Sequence, residues 1–189
     1  MKKITLAAAA LLVSFATFAQ QKWAVDKAHS KLGFTVTHLL MSEVDGNFKT
    51  FDATITSSKE DFSDAVFEVT ADVTSLNTDN EMRDKDLKGE KNFDAEKHPK
   101  FTFKSTSISK VADKKYKLMG DLTLKGVTKP VSLDLALTGT GMNGRTKKPK
   151  VGFKVTGTIK RADFGVGAMP AAVVGEDVEL RAVGEFEQL

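Results

Sequence analysis

The chain has 189 residues, no cysteine, 41% hydrophobic residues and a formal net charge of +3. That length suits one domain with a real core, burying about 70% of its unfolded surface, rather than two domains. The cysteine count excludes a disulfide scaffold and a cysteine zinc site, and 28 basic residues against 25 acidic ones give no nucleic-acid-binding charge excess.

Residues 1–19 read as a secretory signal peptide. Lys2 and Lys3 supply a positive start, Ile4 to Phe18 are uncharged and mostly apolar, and Thr17 and Ala19 are small enough for the positions a signal peptidase reads. The alternative, an uncleaved membrane anchor, has a short stretch to work with. The signal predicts an exported chain, periplasmic or secreted, whose mature part, 20–189, is a single domain with no transmembrane span. Without Lys2 and Lys3 the basic residues number 26 against 25 acidic, so the net charge falls to +1.

From residue 32 onward the dominant pattern is alternation with a period of two. It runs through Leu32-Phe34-Val36, Phe51-Ala53-Ile55, Ala65-Phe67-Val69-Ala71-Val73, and Phe101-Phe103. It continues through Tyr116-Leu118 with Leu122-Leu124, Val131 to Leu137, Val151-Phe153-Val155 with Ile159, and Val178-Leu180-Ala182 with Phe186. Eight strands with one apolar face each are predicted. Turn chemistry at Asp45-Gly46-Asn47, Asp113-Lys114, Gly126 to Pro130 and Gly139 to Pro149 separates several of them. Short connections favour antiparallel pairing, and closing eight such strands into a barrel removes exposed edges. The predicted fold is all-β, an eight-stranded antiparallel barrel, with a two-sheet sandwich as the alternative. Such a barrel is wide enough to fill with side chains or to hold one slender ligand.

One segment breaks the alternation. Thr78-Asp79-Asn80-Glu81 reads as a capping box for a short helix from about Asp79 to Lys88, stopping at Gly89. A second helical turn around Asp94 to Lys97 ends at His98-Pro99. This helical insert, between the third and fourth strands, is placed to cover one barrel mouth.

Catalytic chemistry is sparsely represented. His29, His38 and His98 stand in no metal-ligand spacing, and no nucleophile elbow or phosphate loop occurs. Asp84 and Asp86 are either a carboxylate pair, a solvated helix face or partners of Arg83. His38 and Arg161 fall in phase with apolar faces, and an inward charge must be paired. Each is either part of a polar patch for a ligand headgroup or a strand end at solvent; for Arg161 a salt bridge to Asp163 is a further option. Arg83 is either a surface charge or an anchor facing the mouth. Thirteen phenylalanines beside one Trp and one Tyr make a bulky apolar interior, suited to an apolar chain or to ordinary packing.

The ordered set of motifs resembles a known family. It opens with Trp23-Ala24-Val25-Asp26, His29-Ser30, Phe34-x-Val36-x-His38 and Gly46-x-Phe48. Ser75-Leu76-x-Thr78, Arg83-Asp84-x-x-Leu87, Phe93-Asp94 and His98-Pro99-x-Phe101-x-Phe103 follow. Gly120-Asp121-Leu122-Thr123-Leu124-x-Gly126 and Arg161-x-Asp163-Phe164-Gly165 complete it. The chain is similar over about 22–188 to the YceI-like exported bacterial polyisoprenoid-binding proteins. Asp86 and Asn92 depart from the family pattern, which often has His and an aromatic residue there. The resemblance implies an extended, lipocalin-like barrel whose interior holds a long-chain amphiphile such as a polyprenyl phosphate or isoprenoid quinone. It implies a binding protein and not an enzyme, with no cofactor, and allows a homodimer. The residues assigned to the apolar chain are Phe34, Phe67, Phe101, Phe103, Leu122, Leu133, Phe153 and Leu180, with Phe164 of the last motif. His38, Arg83 and Arg161 are assigned to the polar end. The rival functions are a protein-interaction or stress-response module and an enzyme of quinone metabolism.

Overall fold

A computed structural model describes residues 20–189; the segment expected to be a signal peptide lies outside them. The alternating segments form strands β1 (Gln21–His38), β2 (Ser42–Phe48), β3 (Phe51–Ser57), β4 (Val66–Asp72) and β5 (Leu76–Asn77). A helix, α1 (Glu81–Lys88), comes next. The remaining strands are β6 (Lys100–Ala112), β7 (Lys115–Leu124), β8 (Val127–Met142), β9 (Pro149–Lys160) and β10 (Val174–Gln188).

Every pairing is antiparallel, and β10 pairs back onto β1 from Trp23↔Gln188 to His38↔Val174, which closes the barrel. The ten strands make eight walls. β2 and β3 pair with the two halves of β1 and form one wall broken at Lys49-Thr50. β4 and β5 pair with β3 and β2 and form another, broken by a 3-10 turn at Val73–Ser75. The predicted eight-stranded antiparallel barrel is therefore the fold, with α1 between its third and fourth walls. Among the described residues no helix is long and apolar enough to cross a membrane.

The first hairpin differs from expectation. Asp45-Gly46-Asn47 lies inside β2, and the turn is Leu39-Leu40-Met41, with Leu39 and Leu40 both at positive φ. Gly46 is needed inside the strand because the Phe34 ring lies over it. A Cβ on Gly46 would sit 2.2 Å from Phe34 Cζ. The expected turn at Asp113-Lys114 connects β6 and β7, whereas the other two are shorter than expected: Lys125-Gly126 replaces Gly126 to Pro130 and Asn143 to Lys148 replaces Gly139 to Pro149, because β8 takes up Val127 to Met142.

The helix cap is also shifted. Asn80 is the N-cap, its side-chain oxygen accepting from the Arg83 N–H at 3.0 Å. Thr78 pairs instead with Asp84, whose carboxylate accepts from the Thr78 N–H at 2.8 Å and from its hydroxyl at 2.6 Å. Asp84, and not Glu81, thus reaches back to the Thr78 backbone, while Asn80, and not Thr78, caps the first turn. Asn80→Ala removes one cap bond and is expected to cost about 1 kcal/mol by urea unfolding.

The core is the barrel interior, where Ile55, Leu76, Tyr116, Leu118, Leu135 and Val151 are fully buried. The loop 58–65 closes the end where β3 finishes and β4 begins. It inserts Phe62, held at positive φ and 3% exposed, between Trp23 (ring centroids 5.4 Å apart) and Phe153 (5.2 Å). The Tyr116 hydroxyl donates to the Asp61 carbonyl, and the Asp64 carboxylate accepts from the Ser57 hydroxyl at 2.5 Å and the Ser58 N–H at 3.0 Å.

Burial alone would push the Asp64 carboxyl up, but the Ser57 and Ser58 hydroxyls and backbone N–H groups outweigh it and hold it down to about 2. Lys150 and then His29 likewise hold Asp26 well below the usual carboxylate range. Both folded values lie below the unfolded one, so both groups stabilise the barrel above about pH 4, and that contribution is lost as pH falls towards 2. Melting temperature is expected to drop across that interval, less steeply in Asp64→Asn. An identical slope in that variant would remove Asp64 from the account.

Candidate functional site

The inward positions along each strand fall into two sets. Near the closed end they are packed: Trp23, Ile55, Tyr116, Leu135, Leu137, Val151, Phe153 and Phe186 are all buried. Towards the other end Leu32, Phe34 and Val36 on β1, Val155 on β9, and Val178, Leu180 and Ala182 on β10 are only half-buried. Their free surface faces a cavity of about 390 Å³, within the ~300–1,000 Å³ common for ligand sites.

The cavity wall is built by alternation. Phe34 stands opposite Leu180 in the β1–β10 pair, and Phe103 opposite Leu122 in the β6–β7 pair. Gly157, opposite Leu180, makes room for Leu133, whose Cδ2 would lie 2.5 Å from a Cβ there. Phe48 links the upper ring of aromatics, with centroids 5.9 Å from Phe34, 4.8 Å from Phe101 and 6.0 Å from Phe93. Leu87 of α1 and Phe93 after it complete the wall, so the insert covers the mouth as expected from its place in the chain.

Of the residues assigned to the apolar chain, Phe34, Phe67, Phe101, Phe103, Leu122, Leu133 and Leu180 line the cavity. Phe153 and Phe164 do not. Phe153 points inward but lies lower, packed edge-on against Phe62, Phe67 and Phe186. Phe164 is 2% exposed in the 3-10 turn Arg161–Phe164, apart from the cavity wall. Phe48, Val69, Leu87 and Phe93 line the cavity without having been singled out. Phe48 and Phe93 already stand in the motif residues; Val69 is in phase with Phe67.

The polar candidates separate by what they already hold. His38 lines the mouth and is exposed. Arg83 lines it too, with Nε donating to the Thr78 hydroxyl at 2.8 Å and Nη2 to the Thr78 carbonyl at 2.7 Å. These bonds fix the guanidinium, and its Nη1 makes no hydrogen bond among the described residues. Arg161 also borders the cavity but is 9% exposed and fully engaged. Nε donates to Gly175 O at 2.9 Å, Nη1 to Val166 O and Gly167 O at 3.3 and 3.1 Å, and Nη2 to Met169 O and Val174 O at 2.6 and 2.9 Å. Its partners are five carbonyls of the 166–175 segment, three in the loop and two at the start of β10, and not Asp163. That segment supplies Gly167, Met169, Val173 and Val174 to the cavity wall, so Arg161 shapes the mouth by pinning its rim.

Asp84 caps Thr78, so Asp84 and Asp86 do not act as a carboxylate pair. Asp86 meets Asn92 at the mouth. The Asn92 amide donates to the Asp86 carbonyl at 2.9 Å, and both residues line the cavity. The two departures from the family pattern are thus spatial neighbours. Beyond His38, the β1–β2 turn carries exposed apolar side chains, with Leu40 75% and Met41 80% exposed.

Far from the cavity, Asp26, His29 and Glu185 cluster where β1 bulges away from β10. Lys150 donates to Asp26 at 2.9 Å and to Glu185 at 2.5 Å. Its ammonium already occupies the place a cation would take, and it holds the bulge closed.

The structure is thus a closed antiparallel barrel with an apolar cavity open at one end. The sequence profile of the YceI-like domain matches residues 23–186, and the chain belongs to that family. A UPF0312 protein of Staphylococcus aureus (strain MSSA476) is 36% identical over 166 residues, covering 85% of this chain and 94% of its own length. Among solved structures, Burkholderia cenocepacia BcnA superposes with a TM-score of 0.77 at 26% identity, covering 85% of this chain and 98% of that one. The Campylobacter jejuni YceI protein superposes at 0.72 with 31% identity, covering 99% and 98%. A Saccharophagus degradans domain described as polyisoprenoid binding shares the fold at 0.65, with 16% identity over 87% and 97%.

Proposed function

We propose that the protein binds a long-chain amphiphilic lipid of the isoprenoid kind, a polyprenyl phosphate or isoprenoid quinone, with its apolar chain in the barrel and its polar end at the mouth. The observation that carries this reading is the cavity: about 390 Å³, walled almost wholly by aliphatic and aromatic side chains, and bordered by the insert and the 166–175 segment. Burying fifteen chain carbons at ~0.8 kcal/mol each gives roughly 12 kcal/mol. Subtracting about 4 kcal/mol for association leaves affinity near the micromolar range. The polar groups at the mouth, His38, Arg83, Asp86 and Asn92, orient one end of such a chain. The likeness to the Saccharophagus degradans domain is one of fold, so the cavity carries the ligand class.

We read the protein as a carrier or store and not an enzyme, working in the periplasm or outside the cell where its signal peptide directs it. Titration with farnesyl phosphate, followed by calorimetry, tests the binding. Saturation at one per chain is expected; absence of saturable binding to this probe and to farnesol would end the reading.

A further inference from the structure

The packed half of the barrel is built differently from an ordinary core. Four aromatic rings stand in a chain of edge contacts across it: Trp23 to Phe62 at 5.4 Å, Phe62 to Phe153 at 5.2 Å and Phe153 to Phe186 at 6.2 Å. Phe67 joins them, with its centroid 5.3 Å from Phe153, and also lines the cavity. Phe67 is therefore the floor of the cavity, and Phe153 is what holds that floor up.

Phe62 does not come from a strand. It is delivered by the 58–65 loop in the left-handed backbone region, which a bulky side chain enters at a cost. The surroundings hold it there through the Asp64 and Tyr116 bonds. The barrel thus closes one end with a ring brought in from outside its walls. What remains open is short. The cavity spans Leu32 to His38 on β1 and Leu118 to Leu124 on β7, roughly 20 Å on each at ~3.3 Å per residue.

We propose that this aromatic plug is a chain-length stop, with Phe153 as the residue that determines specificity. It rests on the lipid reading above and adds a limit to it. A chain gains affinity with each unit that enters the cavity until its tail meets Phe67 over Phe153. Any further length stays outside the mouth and gains little. Each methylene that finds room is worth about fourfold in affinity, so the stop appears as a break in a length series.

The test is a binding series with geraniol, farnesol, geranylgeraniol and solanesol against wild type, Phe153→Leu, Phe153→Ala and Phe62→Leu. Circular dichroism checks the fold of each variant. Wild-type affinity is expected to rise along the series and then level, each longer alcohol changing it by less than about twofold. In Phe153→Leu the space below Phe67 joins the cavity, so the first alcohol beyond the wild-type break gains about tenfold or more. Phe153→Ala extends the effect, and Phe62→Leu gives a smaller one. Phe164→Leu is the control: it also loses a buried ring, but one outside cavity and plug, and its break stays where wild type has it. Affinity that climbs through solanesol in wild type would overturn the stop. So would an unmoved break in folded Phe153→Leu and Phe62→Leu. If wild type binds none of these alcohols, the lipid reading fails, and the stop with it.

Discussion

Arg161→Met is expected to cost about 4 kcal/mol of stability, lowering the melting temperature by roughly 10 °C. All five guanidinium N–H bonds go to carbonyls of one segment, the loop from Val166 and the first two residues of β10, at 2.6 to 3.3 Å. A hydrogen bond from a charged donor is worth about 1.5–3 kcal/mol, and a carbonyl left buried costs more than one that finds water. Loosening the loop returns part of the loss by hydration, so the total falls below the sum of five bonds. Met169, Val173 and Val174 move with the loop, so ligand affinity falls as well. Arg161→Lys rescues little, because an ammonium has three donors and lacks the planar fork. Urea unfolding of the three proteins reads this directly. A loss under about 1 kcal/mol for Arg161→Met would mean that the loop is held by something else.

Leu180→Trp is expected to abolish binding while leaving the barrel folded. Leu180 is half-buried, faces the cavity and stands opposite Gly157 on β9. A larger ring there enters empty space, whereas the same change in a packed core forces strain. The indole displaces the three or four chain carbons that would lie against Leu180. At ~0.8 kcal/mol each that is roughly 3 kcal/mol, more than a hundredfold in affinity. Stability is expected to change by less than about 1 kcal/mol. Unchanged affinity for farnesyl phosphate in a folded Leu180→Trp would place the ligand outside the barrel.

The barrel is legible in the sequence because its strands bury one face each, and period-two alternation records exactly one thing: which residues point inward. It does not record height along the barrel axis. Phe153 and Leu180 carry the same signal, yet one is in the plug and the other in the cavity wall. Height depends on the stagger between neighbouring strands, set by pairings such as Leu180↔Gly157 and Phe34↔Leu180, which are long-range. Phe62 is not legible for a related reason: it enters the barrel from a loop, where no periodicity exists. Turn chemistry misleads at Asp45-Gly46-Asn47 because Gly46 serves the Phe34 ring and not a bend. The hairpin instead turns on two leucines, which local propensity argues against. Arg161 is visible as an inward charge needing partners, but backbone carbonyls carry no residue-type signature, so Asp163 is the more visible partner and the wrong one.

The most direct test is native mass spectrometry of the protein purified without detergent from its own host, with solvent extraction of the same sample. The expected result is a species heavier than the mature chain by one amphiphile, which collapses to the bare mass after extraction and yields an isoprenoid lipid in the organic phase. A bare mass at the outset, an extract without any long-chain amphiphile, and a chain that takes up none from added vesicles would contradict it.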